Sequence, residues 1–117
     1  MDNQTKDRVK RLLDDVEKDI ENIEIYFRAD TYPSIVETYE FDFKNMKLKV
    51  SVTYINDNSN ARYDLSIGKN SYYKTIVSSE DTELLRDFYD TICEEYLRRK
   101  AKKKDEKISS LLTELGY

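Results

Sequence analysis

Ile35-Val36-Glu37-Thr38-Tyr39-Glu40-Phe41-Asp42-Phe43-Lys44-Asn45-Met46-Lys47-Leu48-Lys49-Val50-Ser51-Val52-Thr53-Tyr54 decides the fold of this chain. Tyr39, Phe41 and Phe43 alternate with Thr38, Glu40 and Asp42, and Met46, Leu48, Val50 and Val52 alternate with Lys47, Lys49 and Ser51. A period of two is the mark of a strand with one buried face. Lys44-Asn45 fits a two-residue hairpin loop, because Asn tolerates positive φ. That loop length sets the register: Phe43 faces Met46, Phe41 faces Leu48 and Tyr39 faces Val50. On the other face Asp42 meets Lys47 and Glu40 meets Lys49. A slip of one residue would spoil both sets at once, so the two faces specify the same pairing.

Working outward, Val9, Leu12, Leu13, Val16, Ile20 and Ile23 recur at helical spacing, which predicts an N-terminal amphipathic helix capped by Asn3 or Thr5. Its opposite face carries Asp14, Asp15, Glu17, Asp19 and Glu21. Ile23 to Phe27 switches to period two and reads as a first strand, followed by a loop at Asp30–Ser34. Beyond the hairpin, Asn56 to Asn60 is a polar turn, and Ala61, Tyr63, Leu65 and Ile67 mark a further strand. Gly68-Lys69-Asn70 reads as the next turn. Residues 71–77 read as a fifth strand whose phase is ambiguous, since Tyr72, Tyr73, Ile76 and Val77 support either face. Ser78 to Asp81 supplies a capping hydroxyl and acids for a helix start.

From Ser79 to Leu115 there is neither Pro nor Gly. Leu85, Phe88, Tyr89, Ile92 and Tyr96 form an apolar stripe, Arg98 to Lys104 is almost wholly basic, and Ile108, Leu111, Leu112 and Leu115 resume the stripe. As one helix the segment spans roughly 55 Å, against a radius of gyration of about 13 Å for a compact domain of this size. It must overhang the domain or fold back. The fold expected is α+β: an antiparallel meander sheet of four to five strands, with an N-terminal helix and a long C-terminal helix packed on one face. Residues 1–97 are read as a single domain and 98–117 as a basic helical extension with an apolar tip.

Composition narrows the function. The chain of 117 residues has a net charge of −4, with 38% charged and 12% aromatic residues, which suits a folded, highly charged domain. Residues 98–107 carry a net +5, so the rest of the chain carries −9. There is no His, which removes the commonest general base and metal ligand. One Cys, Cys93, permits no internal disulfide and reads as a small, partly buried hydrophobe. Two glycines cannot build a phosphate-cradling or dinucleotide loop. The turn at 56–60 lacks the Gly and Glu of an EF-hand, so no metal or cofactor is expected. No long apolar run and no signal peptide is evident, so a cytoplasmic location without membrane contact is expected.

Three readings of function remain. The first is a small acidic protein without catalysis that binds another protein, as an inhibitor, immunity-type or adaptor protein does. It would use the polar sheet face of Glu40, Asp42, Lys47, Lys49, Arg62 and Asp64, and pair with a second copy through Ile108, Leu111, Leu112 and Leu115. The second is nucleic-acid association, with Arg98, Arg99, Lys102 and Lys103 contacting phosphates. No aromatic residue interleaves that run to stack a base. The third starts from Asp42-Phe43-Lys44 with Asp30 upstream, which resembles the acid-x-Lys signature of metal-dependent nucleases. The Pro-acid pair that precedes that signature is not in place.

Overall fold

The computed structural model describes residues 1–55, 60–69, 72–78 and 82–117. Helix α1 (Asn3–Lys18) leads through a 3-10 turn (Ile20–Asn22) to five strands: β1 (Tyr26–Asp30), β2 (Ile35–Phe43), β3 (Met46–Ile55), β4 (Asn60–Lys69) and β5 (Tyr72–Ser78). Helix α2 (Thr82–Glu114) ends the chain. The strands form one open sheet in the order β1-β2-β3-β4-β5, every neighbouring pair antiparallel. The α+β meander expected from sequence is therefore present, with five strands. The turns read at Asn56–Asn60 and Gly68–Asn70 and the helix start at Ser78–Asp81 lie partly outside the described residues.

The central hairpin has the predicted register, with Phe43 opposite Met46, Phe41 opposite Leu48, Tyr39 opposite Val50, Asp42 opposite Lys47 and Glu40 opposite Lys49. Lys44 and Asn45 both take positive φ, 50° and 65°. That geometry matches the right-handed twist of the strands it joins.

Four boundaries differ from the sequence reading, each for a local reason. Asp2, not Asn3 or Thr5, caps α1: its carboxylate accepts from the Thr5 backbone N–H at 2.7 Å. Ile20 and Ile23 lie beyond α1, and the first strand begins at Tyr26 rather than Ile23. Ile23 and Ile25 are buried without strand partners, and the carbonyls of Ile20 and Ile23 accept from Arg99 of α2. Gly68 lies within β4, opposite Tyr73, where a Cβ would stand 2.7 Å from the Tyr73 ring. The fifth strand's ambiguous phase comes from a bulge: Leu65 pairs with Val77 and Ser66 with Thr75, which leaves Ile76 as the extra residue. One extra residue flips the alternation, so Val77 enters the core while Tyr73 lies on the opposite face.

The core lies between one face of the sheet and the two helices. Val9, Leu13 and Val16 of α1 and Leu85, Phe88, Tyr89 and Ile92 of α2 are buried against Tyr39, Phe41, Leu48, Val50, Val52, Leu65 and Val77. Burying each such side chain fully contributes about 1.5–3 kcal/mol. The Phe41 and Phe88 rings meet at 6.2 Å, and Tyr96 lies 5.7 Å from Phe27 and 5.5 Å from Tyr39. Past Lys103, which with Arg99 and Lys100 still flanks Glu24–Phe27, the helix leaves the body. Every residue from Lys100 to Tyr117 is exposed. At 33 residues, α2 is about 50 Å long, and it does not fold back. The radius of gyration is 16.9 Å and the longest dimension 62 Å.

Candidate interaction surfaces

The helices cover only one face of the sheet. On the other, strand alternation brings Glu40 and Asp42 of β2 beside Lys47 and Lys49 of β3, with Arg62 and Asp64 on β4. All six of these candidate residues therefore share one face. They are ordered differently from a ladder of cross-strand ion pairs. Tyr73 of β5 lies over Gly68, donates its hydroxyl to the Glu40 carboxylate, and carries the Lys49 ammonium 3.7 Å above its ring. Glu40 and Lys49 are thus joined through an aromatic ring rather than to each other. Asp42 and Lys47 face one another without closing into an ion pair. Burial and the Glu40 carboxylate push the Tyr73 hydroxyl up to about 12, since both penalise the phenolate.

The same face is tied together elsewhere. Thr38 and Ser51 hydroxyls meet at 3.0 Å, Ser66 and Thr75 at 3.1 Å, and Arg62 reaches Asp64 at 3.3 Å. Arg28 and Asp30 pair at 3.6 Å on the edge strand. The sequence alone leaves the face of Tyr73 open. Its signal was Gly68: a strand glycine exposes backbone that a cross-strand aromatic can cover.

The second candidate surface is the α2 overhang. Ile108, Leu111, Leu112 and Leu115 are 46%, 51%, 45% and 72% exposed, and Leu97 is 53% exposed. They do not continue the stripe of Leu85, Phe88, Tyr89, Ile92 and Tyr96. At 3.6 residues per turn the second stripe is rotated by about 130° from the first. One continuous helix therefore has two apolar faces: the first is spent on its own body, and the second points away from it.

The basic stretch joins these two parts, and its arginines are already engaged. Arg98 pairs with Glu95 at 2.6 Å. Arg99 donates to Glu95 at 2.9 Å and, through its two terminal nitrogens, to the carbonyls of Ile23 and Ile20 at 2.5 and 2.6 Å. Glu95 is held below the usual carboxylate range, chiefly by the Arg98 hydrogen bond. Of the four residues read as phosphate contacts, Lys102 and Lys103 alone are exposed without an ion-pair partner among the described residues.

The acids of the nuclease-like signature do not meet. Asp30 stands opposite Val36, six residues from Asp42 along β2, a separation of roughly 20 Å. Lys44 instead lies over the Phe43 ring and 3.9 Å from Asp15 of α1. Among the described residues no three Cys, Asp or Glu side chains gather as a metal site, and no helix is long and apolar enough to cross a membrane. Cys93 is half-buried and packs against the core. A half-buried polar contact was missed from sequence: Glu37, on the helix side of the sheet, accepts from the Tyr89 hydroxyl at 3.0 Å. Burial first, and then that carboxylate, raises the Tyr89 hydroxyl well above the ordinary tyrosine value.

Comparison of the chain with protein-family models, with curated proteins and with solved structures finds no match.

Proposed function

We propose that this protein acts by binding another protein across the open face of its sheet, as an inhibitor, immunity-type or adaptor protein does. The observation that carries this reading is the interlocked side-chain array on that face, centred on Tyr73, Glu40 and Lys49. Ordering loose polar side chains costs roughly 0.5–1.5 kcal/mol for each one immobilised on association. Here much of that ordering is already present in the free protein. A row of acids on β2 lies beside a row of lysines on β3, a charge pattern that selects a complementary surface and rejects others. Tyr73 supplies the aromatic centre that protein interfaces favour.

The test is affinity capture from an extract of the source cell, comparing the wild-type chain with a variant carrying Glu40→Lys and Lys49→Glu. The reading expects at least one protein to be held by the wild type and lost from the variant. Equal capture by both chains, or capture of nucleic acid alone, would overturn it.

A further inference from the structure

We propose that the α2 overhang is a dimerisation arm, which pairs antiparallel with the arm of a second copy of this chain. The inference stands apart from whatever the sheet face binds, because it rests on a different element.

Leu97, Ala101, Lys104, Ile108, Leu111 and Leu115 follow one another at spacings of four and three residues. That is the repeat by which two helices interlock side chains along a shared seam. The seam faces away from the body, so a second helix can lie along it without meeting the sheet. Ile108, Leu111 and Leu115 at its outer end are about half exposed or more, and no described residue of their own chain buries them.

Charge selects both the occupant and its direction. Parallel arms would lay one +5 segment along another, set Lys104 against Lys104, and bring two bodies, residues 1–97, of charge −8 side by side. Antiparallel arms avoid all three. With Ile108 against the partner's Leu111, Lys107 flanks the partner's Glu114, and symmetry repeats that contact on the other side. Each basic segment then runs along the partner's tip, where residues 108–117 hold one acidic and no basic side chain, and points toward the partner's acidic body. Opposite charges on flanking positions are what fix the direction of such helix pairs. The two bodies would stand about 30 Å apart along the paired helices, with their open sheet faces free. Such a molecule is two-headed, which suits an adaptor.

The test combines solution mass with two distances. Light scattering across a series of concentrations should show the mass rising from 14.0 kDa toward twice that value. Leu111→Asp and Ile108→Asp, both at exposed positions, should stay monomeric at every concentration, with the melting midpoint that the wild type shows when dilute. In a Cys93→Ser background, spin labels at Ser110 should lie close together across the dimer. Labels at Lys100 should lie about 28 Å apart along the axis. A full-length chain that stays monomeric throughout, or a dimer that survives Leu111→Asp, would overturn the proposal. A dimer with closely spaced Lys100 labels would overturn its direction.

Discussion

Arg99 holds the root of the overhang, and its removal can be costed from the structure. Two terminal guanidinium nitrogens donate to the Ile23 and Ile20 carbonyls at 2.5 and 2.6 Å, and the Nε to Glu95 at 2.9 Å. Hydrogen bonds from charged donors contribute about 1.5–3 kcal/mol each. The Arg99 side chain is 26% exposed, so water takes over part of what alanine would forfeit. We therefore expect Arg99→Ala to cost about 2–3 kcal/mol, a fall in the melting midpoint of roughly 8–12 °C for a chain of this size. Arg98 is the internal control. It contacts the same carboxylate, but its side chain is 59% exposed, and such pairs contribute only about 0.2–1 kcal/mol. Arg99→Lys keeps the charge and loses the fork, so it should recover only part of the loss. Urea and thermal unfolding followed by circular dichroism would read all three. Equal costs for Arg99→Ala and Arg98→Ala would refute the anchor.

Further expectations concern the sheet face and the helix root. Gly68→Ala places a Cβ 2.5 Å from the Tyr72 carbonyl oxygen and 2.7 Å from the Tyr73 ring, and should cost about 1–3 kcal/mol in a urea titration; a neutral substitution would mean that β5 does not approach that glycine so closely. The Tyr73 hydroxyl is raised, so its neutral form is the one the fold favours. The stability difference between wild type and Tyr73→Phe should be complete below the ordinary value of 10.0 and vanish as the pH rises through about 12. A difference that persists in stronger alkali would argue against the Glu40 bond. Glu95 is lowered, so the opposite sign applies. Its contribution relative to Glu95→Gln should be present above 4.5 and fade as the pH falls below that value. A gap that does not change with pH would show that its charge is not what the two arginines hold.

The hairpin was legible because two independent patterns, apolar on one face and charged on the other, specify the same pairing. The phase of β5 was not, since the bulge at Ile76 changes which face each residue takes, and no residue type announces a bulge. Nor was the start of β1: just before it, the Ile23 carbonyl accepts from a guanidinium 76 residues distant, a contact to backbone that carries no sequence signal. The alternation that sets Glu40, Asp42, Lys47, Lys49, Arg62 and Asp64 on one face is visible in the sequence. Tyr73 was missed because its placement depends on the bulge. The rotation of the second α2 stripe was present in the spacing all along. Tyr96 and Ile108 are twelve residues apart, which is three and a third turns, so a single straight helix cannot present both to one surface.

The overhang is the feature on which the account depends most, and amide hydrogen exchange at residues 100–114 tests it most directly. A lone charged helix with its apolar stripe in water opens locally at little cost, and its amides exchange quickly. If the stripe is covered by a second copy, protection across 104–114 should be strong and rise with protein concentration, while the buried residues of the sheet stay protected at every concentration. Rapid exchange across 100–114, independent of concentration, would contradict the account and leave the arm a loose tail.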